Sequence, residues 1–430
     1  MRRLFLQITL LLLVQGVLMS ATVQQIHVKT TQIPVIYESS DTLPIVSMRI
    51  VFKNAGALQD GSKPGLARIT ASLFEEGTKA LGSTAFAKKL ESKAIALDIH
   101  AGKESFVITL QSLNAQWPEA VALLEELLDD PNYDEDVLDK VKTNAIGELM
   151  RKASDFDYLA STNLSRRLFE NTPLAVPADG TPESIQTITL ADVKGFIEAN
   201  LHAARAIAVI GGDIARDSAY KDVTAVLEHF PQGVAPELPH FHVTPDAEDI
   251  RVIKETKQAY VYFGAPFDLN VTDPEAYKAK VAAFILGASG FGSRLMEEIR
   301  VKRGLAYSAY GRIQMSLSNS YFSGHLQTKT ESEEEAVSLV REVVKAFVEG
   351  GATKKELQDA KNFLLGSEPL RTETLAQRLG RSLDEYYKGM PLGSSQKELE
   401  KIEALTLKEL NAFIHAHPEL TRLTFSIVTQ

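Results

Sequence analysis

The chain has 430 residues, of which 44% are hydrophobic and 24% charged, a composition that predicts a folded globular protein and excludes a disordered one. Its 56 acidic and 46 basic residues give a formal net charge of −10, without any Lys/Arg-rich block, which argues against a nucleic acid or an anionic membrane as the partner. Cysteine is absent, which excludes disulfides, thiolate zinc sites, iron–sulfur clusters and Cys nucleophiles.

The first residues have the layout of a secretory signal peptide. Arg2 and Arg3 form a basic start, residues 4–18 are mainly apolar, and small residues follow at positions 20 and 21. A retained membrane anchor is the alternative, but the apolar run is shorter than the about 20 residues that span a bilayer. We therefore expect residues 1–21 to be a leader. The mature chain is expected to be exported, periplasmic and soluble, with no stable membrane span.

Hydrophobic patterning predicts the same order of elements in both halves of the chain. Short runs rich in β-branched and aromatic residues predict strands, and apolar residues at helical spacing predict helices. In chain order, the predicted elements are a strand at 45–52, a helix at 66–74, a strand at 106–110, a helix at 117–128, strands at 206–210 and 260–263, a helix at 277–286, a strand at 321–326, a helix at 333–348 and a strand at 423–428. Grouped strands with flanking helices predict an α+β fold with an antiparallel-rich sheet in each half.

The two halves meet at a segment, residues 231–245, that contains four prolines and so resists both helix and sheet. The halves also resemble each other. The string LDKVKTNAIGE, which begins at Leu138, aligns with LQDAKNFLLGS, which begins at Leu357, an offset of 219. The chain is therefore predicted to be a tandem duplication, with domains at 22–230 and 246–430 joined by the Pro-rich linker.

Four segments in order resemble a known family. The strongest is GFGSRLMEEIRVKRGLAYSAY at 290–310, and the others lie at 61–78, 129–142 and 179–197. With the duplication, they resemble the insulinase/pitrilysin-type (inverzincin) metallopeptidases, in the short bacterial form similar to mitochondrial processing peptidase. The resemblance implies a clam-shell of two homologous αβ domains. It also implies that active members hold zinc on an H-x-x-E-H motif in the first half, with a further Glu later in the chain.

This motif is degenerate here. Arg68 stands where the first His would be, Ala71 where the Glu would be, and Ser72 where the second His would be. Arg has no lone pair to offer a metal ion, and Ala cannot act as a base. Glu148 falls near the distal ligand position, where a solvated or salt-bridged helix residue is the simpler interpretation. We expect no metal in this chain and no zinc peptidase activity from the chain alone.

None of the nine histidines forms an alternative motif, because no two are spaced at i, i+4. The closest pairs are His240 with His242 and His415 with His417. We expect both pairs to face solvent.

Arg300 and Tyr307 lie within the strongest of the four segments. By resemblance, they match the Arg and Tyr that the family's second half presents to the substrate at the zinc site. A phenol can donate a hydrogen bond to a developing oxyanion, and a guanidinium can hold a carbonyl through two parallel donors. The alternative is structural, with Arg300 paired to Glu297 on a helix surface and Tyr307 in a strand core.

Two further segments match regions of the family that contact substrate. Gly290 and Gly292 belong to a short glycine-rich loop, for which plain loop formation is the alternative. The strand segment 98–101, which includes His100 and Ala101, aligns with the strand that pairs with the substrate backbone, a mode that tolerates varied sequences.

The resemblance implies a division of labour. The chain is predicted to be the non-catalytic subunit of a heterodimeric zinc metalloendopeptidase that cuts peptides or unfolded segments. A homologous partner subunit would carry the zinc, and Arg300 and Tyr307 would act in trans. An inert peptide-binding or structural scaffold of the same fold is the alternative, and an active enzyme with unusual ligands is a third reading.

Overall fold

A computed structural model describes residues 21–430, and the predicted leader, except for its last residue, lies outside this range. Two β-sheets organise the described chain. The first sheet contains β1 (Thr22–Val28), β2 (Thr31–Ser39), β3 (Ile45–Lys53), β4 (Ala96–Ala101), β5 (Ser105–Leu113) and β6 (Ala206–Gly212). The second contains β7 (Ile250–Ile253), β8 (Gln258–Pro266), β9 (Ala306–Met315), β10 (Ser320–Lys329) and β11 (Thr424–Thr429).

Helices follow the strands in both halves. The first half contains α1 (Leu66–Phe74), α2 (Gly82–Glu91), α3 (Trp117–Asp129), α4 (Glu135–Lys152), α5 (Phe156–Leu168), α6 (Pro182–Gln186), α7 (Leu190–Asn200) and α8 (Arg216–Glu228). The second contains α9 (Ala276–Ala283), α10 (Arg294–Met296), α11 (Glu333–Gly350), α12 (Lys354–Gly366), α13 (Leu375–Tyr387), α14 (Ser394–Ala404) and α15 (Leu407–His415). The predicted helix at 277–286 is α9 followed by a π-helical turn, Phe284–Ala288. Among residues 21–430, no helix is both long and apolar enough to cross a membrane.

Five strands are arranged in the same order in the two sheets, and the first sheet has β1 in addition. The strand order is β1-β2-β6-β3-β5-β4 in the first sheet and β7-β11-β8-β10-β9 in the second. Each sheet has one parallel pair, β2 with β6 and β7 with β11, and its other pairs are antiparallel. The α+β fold with an antiparallel-rich sheet in each half, predicted from the sequence, is therefore confirmed.

Helix α1, which carries the degenerate motif, starts at a buried acidic cap. Both carboxylate oxygens of Asp60 accept backbone hydrogen bonds, from the N–H groups of Gly65 (2.7 Å) and Ala67 (2.8 Å). Gly65 has φ 92°, a conformation that favours glycine. Burial raises the pKa of Asp60 to about 6, although the two backbone bonds oppose that shift. The cap fixes where α1 begins, and therefore fixes the position of Arg68 two residues later.

The halves exchange one helix each. Helix α5 from the first half packs on β8 and β11 of the second sheet, and α13 from the second half packs on β2 and β6 of the first. The starts of α5 and α13 are separated by the same offset of 219 as the repeat, so they are equivalent helices. A glycine lies beneath each one: a Cβ on Gly264 would come within 2.6 Å of Leu168, and a Cβ on Gly211 within 3.0 Å of Leu379. Each sheet therefore depends on a helix from the other half.

The Pro-rich segment 231–245 contains no helix or strand, only an isolated bridge between Phe241 and Asn319. It is nevertheless packed rather than free. Val243 is buried in a small core with Leu164 and Tyr321, beside the exchanged helix α5. The segment thus contributes to the contact between the halves.

Candidate functional site

The positions of the degenerate motif come together between α1 and α4. Arg68, on α1, forms an ion pair with Glu148, on α4, through Nη2 and Oε2. The other terminal nitrogen of Arg68 lies 3.8 Å from Asp179, in the loop before α6. Lys152, one turn after Glu148, lies 3.1 Å from Glu148 Oε1 and 2.7 Å from Asp179 Oδ2. Two cations and two carboxylates therefore form a closed network, in agreement with the salt-bridged interpretation of Glu148.

The network sets the charge state of its members. The hydrogen bond from Lys152 and the attraction of Arg68 hold the pKa of Glu148 below its usual value, against a partial burial penalty. The hydrogen bond to Asp179 raises the pKa of Lys152, and the bond to Glu148 adds to it. Both shifts favour the charged forms of Glu148 and Lys152, and each carboxylate of the network is already engaged by a cation.

These residues do not fit a zinc ion. The guanidinium of Arg68 has no lone pair, Ala71 is buried and has no donor atom, and the half-buried Ser72 offers one hydroxyl. Within residues 21–430, no group of three or more His, Asp or Glu side chains is arranged to hold a metal ion. A groove of about 480 Å³ remains beside Arg68, Ser72 and Glu148, so the recess persists without a ligand set.

The predicted substrate-pairing strand is β4, at the edge of the first sheet. His100 is exposed, with Nδ1 2.9 Å from Asp98 Oδ2, and Ala101 pairs with Phe106 on β5. The outward N–H of Ile99 is not free, because it donates to Glu75 Oε1 at 3.2 Å. Glu75 also lines the groove beside Arg68. Strand addition at this edge would therefore compete with a carboxylate of the chain itself.

Arg300 and Tyr307 lie together on the second half, as predicted. Arg300 belongs to the π-helical turn Glu297–Lys302, and Tyr307 is near the start of β9, the edge strand of the second sheet. The guanidinium carbon of Arg300 lies 4.4 Å from the ring centroid of Tyr307 and 4.6 Å from that of Phe291. The guanidinium is therefore held between two aromatic rings.

The two rings of this cluster are exposed, and Arg300 beside them is half-buried. Tyr307 is 82% exposed and Phe291 69% exposed, which excludes a core role for either ring. Among residues 21–430, the side chain of Arg300 forms no ion pair or hydrogen bond, so the alternative pairing with Glu297 is absent. Neither Arg300 nor Tyr307 lines the groove around Arg68, and the two predicted sites are not brought together within one chain.

The glycine-rich loop owes two of its glycines to backbone conformation. Gly290 has φ 67° and Gly292 has φ 91°, both in the left-handed region. A Cβ on Gly287 would come within 2.5 Å of the backbone of Gly311, so that glycine permits close contact with β9. Plain loop geometry accounts for these glycines, and Phe291 between them is the side chain that reaches Arg300.

Sequence reasoning missed three members of these sites. Phe291 could have been suspected as a lone aromatic residue between two glycines. Lys152 could have been suspected from its i, i+4 spacing to Glu148. Asp179 lies 111 residues beyond Arg68, and no local pattern connects them.

Of the four histidines in the two close pairs, only His417 differs from expectation, since His415 is exposed. His240 and His242 are exposed, as predicted. His417 is not solvent-facing: its ring packs 4.7 Å from that of Phe267, and Nδ1 lies 2.7 Å from Glu419. That prediction was wrong because a partly buried carboxylate allows the ring to pack inside.

Comparison with known proteins identifies the class. Residues 34–181 match the model of the insulinase family, peptidase family M16, and residues 187–364 match the model described as the peptidase M16 inactive domain. The chain therefore belongs to the M16 family, as the sequence resemblance predicted.

Two relatives show how widely the likeness extends. A Helicobacter pylori protein described as "Non-peptidase homolog YmxG" is 44% identical, over 98% of this chain and 98% of its own length. A Bacillus subtilis protein described as "Uncharacterized zinc protease YmxG" is 23% identical, over 88% of this chain and 90% of its own. The replaced motif and the likeness to a non-peptidase homologue together support a catalytically inert member of the family.

Solved structures confirm the fold. A peptidase M16 inactive domain from Pseudomonas fluorescens superposes with a TM-score of 0.87 at 27% identity, covering 95% of this chain and 98% of that one. A protease from Helicobacter pylori superposes with a TM-score of 0.81 at 16% identity, covering 95% of this chain and all of that one.

Proposed function

We propose that this chain is the non-catalytic subunit of a heterodimeric peptidase, and that it presents Arg300 and Tyr307 to a substrate held by a zinc-bearing M16 partner. The partner would supply the metal and the base. This chain would supply groups that bind and polarise the substrate. Its substrates would be peptides or unfolded segments.

One observation carries the proposal: a half-buried guanidinium, that of Arg300, which has no ion-pair partner among residues 21–430 and is held beside two exposed rings. The rings of Tyr307 and Phe291 restrict the side chain of Arg300, so less conformational entropy is lost when it binds a ligand. Arg300 has no ion-pair partner among the described residues, and its side chain is not freely mobile either, because the two rings lie against it. The arrangement is suited to a ligand that approaches from outside the chain.

The chemistry follows from the two groups. The planar fork of Arg300 can donate two parallel hydrogen bonds to a substrate carbonyl. The phenol of Tyr307 can donate one hydrogen bond to the same oxygen as it gains negative charge. Neither group can attack or activate water, so both depend on the partner. The ion pairs at Arg68 and Glu148 explain why this chain's own first half does not take that role.

Export to the periplasm is part of the proposal and rests on the leader-like residues 1–21. The subunit and its partner would meet after export. Fractionation of the native cell, with detection of the chain by antibody, would place it in the periplasm if the proposal holds and in the cytoplasm if it does not.

The decisive experiment reconstitutes the pair. The chain and a zinc-bearing M16 relative from the same cell are purified separately and together, and hydrolysis of an unstructured peptide is measured. We expect the pair to be more active than either chain. Arg300→Ala and Tyr307→Phe should each reduce kcat/KM by about 100-fold, the usual effect of losing one oxyanion donor.

A matched control is available three residues away. Arg303 is exposed and its side chain forms no ion pair or hydrogen bond among the described residues, so Arg303→Ala should leave the activity of the pair unchanged. Unchanged activity after both Arg300→Ala and Tyr307→Phe would contradict the proposal, as would chelator-sensitive activity of this chain alone. A pair that forms but cleaves nothing would instead favour an inert scaffold.

A further inference from the structure

A cavity lies between the second sheet and the first half of the chain, and its lining includes none of Arg68, Glu148, Arg300 and Tyr307. Its volume is about 620 Å³, within the range of cavities that hold small ligands. Strands β8, β9 and β10 form one wall. The opposite wall is formed by the exchanged helix α5 and by Lys103, in the turn before β5.

The sheet wall of the cavity is polar and aromatic rather than aliphatic. Tyr262, His325 and Tyr310 are cross-strand neighbours on β8, β10 and β9, with ring centroids 5.3 Å and 5.5 Å apart. Two residues along the same face, Ser323 on β10 is opposite Arg312 on β9. A sheet face that only packed against a helix would carry apolar side chains, so this one is built for contact with something polar.

The charge of the lining has one sign. Of the fourteen lining residues, two are cationic, Lys103 and Arg312, and none is acidic. Neither side chain forms an ion pair or a hydrogen bond within the part of the chain that is described. The chain as a whole has a net charge of −10, so a positive cavity is not the product of a general excess of cations.

The nearby carboxylates are few. Burial lowers the pKa of Lys103, with the attraction of Glu104 opposing that shift, and Lys103 is still exposed to solvent. Asp157, beside the cavity, is already engaged, because it accepts hydrogen bonds from Tyr262 (3.3 Å) and from Gln327.

We propose that this cavity binds a small organic anion, whose carboxylate or phosphate group is held by Arg312 and Lys103. Arg312 supplies a planar fork of N–H donors, which matches the oxygens of either group. Ser161 and Ser165, on α5, line the same space; the hydroxyl of Ser161 already donates to the carbonyl of Tyr158 at 3.0 Å, and that of Ser165 supplies a neutral donor. Partial enclosure strengthens each of these interactions relative to open water. The inference does not depend on the proposed peptidase partner.

Isothermal titration calorimetry on the mature chain tests the site, with succinate as the carboxylate probe and inorganic phosphate as the phosphate probe. Ionic strength is held constant with NaCl. We expect saturable binding of at least one probe, and the probe that binds identifies the anionic group. Arg312→Gln and Lys103→Gln should each weaken that binding at least tenfold. Arg303→Gln removes the same charge outside the cavity and should leave it unchanged.

A loss of anion binding in these variants can be distinguished from a loss of the folded structure. Arg312 forms no side-chain hydrogen bond or ion pair with described residues, so its replacement removes no such native contact, and circular dichroism checks each variant. Arg312→Lys, which keeps the charge and loses the fork, should bind with intermediate affinity. Absence of saturable binding for both probes overturns the proposal. So does a loss of binding in Arg303→Gln equal to that in Arg312→Gln.

Discussion

Arg378 belongs to the second half of the sequence, but replacing it should lower the stability of the first half. Arg378 lies on the exchanged helix α13, and its Nε lies 2.6 Å from Oε1 of Glu38, on β2 of the first sheet. The Glu38 side chain is 3% exposed, so this ion pair is desolvated on the acidic side. Arg378→Ala leaves that carboxylate buried without its cation.

The size of the effect follows from this burial. Breaking a buried pair by removing one partner costs about 3–5 kcal/mol. Because the Arg378 side chain is 27% exposed, we expect the lower end of that range, about 3 kcal/mol. Glu38→Gln in the Arg378→Ala background should recover part of the loss, because it removes the unpaired charge.

The assay uses the single tryptophan. Trp117 lies on α3 in the first half, is buried, and donates a hydrogen bond to Asp222 at 2.7 Å, so its fluorescence reports unfolding of that half. Urea unfolding followed by Trp117 should show the loss in Arg378→Ala. Lys388→Ala is the control, because it breaks only an exposed i, i+4 pair with Asp384 and should change stability by less than about 1 kcal/mol. If both variants unfold at the same urea concentration by Trp117 fluorescence, the first half does not depend on α13 and the reasoning is refuted.

Three further predictions concern the first-half site and the packing. The first concerns the triple variant Arg68→His/Ala71→Glu/Ser72→His, which should bind one zinc ion per chain by elemental analysis, because α1 and α4 already bring these positions to Glu148. The unaltered chain should bind none. A triple variant without zinc would contradict this prediction. Burial raises the pKa of Asp60 to about 6, so its contribution to stability is fully present below pH 4 and is lost as the pH rises through 6. The unfolding free energy of the parent chain, measured relative to that of Asp60→Asn, should therefore fall by up to about 3 kcal/mol between pH 4 and 7. A difference that stays constant with pH would contradict this prediction. Gly264→Ala should cost about 1–3 kcal/mol in urea unfolding, because its Cβ would come within 2.6 Å of Leu168, whereas Gly366→Ala, in open space on a helix, should not destabilise.

The sequence predicted what depends on local pattern. The bounds of α1 were predicted to the residue, because apolar spacing and a preceding glycine mark them. The sequence also singled out Arg300 and Tyr307, since one short segment contains both, but it did not predict that the guanidinium stacks on the ring. The sequence did not predict the contact of Arg68 with Asp179, nor the exchange of helices α5 and α13 between the halves. An amphipathic pattern shows that a helix has an apolar face, but it does not show which of two similar sheets will cover that face.

The ion pairs in the degenerate site have a structural consequence for the family fold. Where an active member would place a divalent cation between α1 and α4, this chain places the guanidinium of Arg68, reinforced by Lys152. Glu148 therefore keeps a positive partner, and the two helices remain joined by opposite charges without a metal ion. Since a guanidinium is permanently charged and covalently attached, this link needs no metal ion, and only Glu148, whose pKa is lowered, has to be ionised. The first half is therefore joined at this point by charges of the chain itself, and neither Arg300 nor Tyr307 lines the groove beside this ion pair.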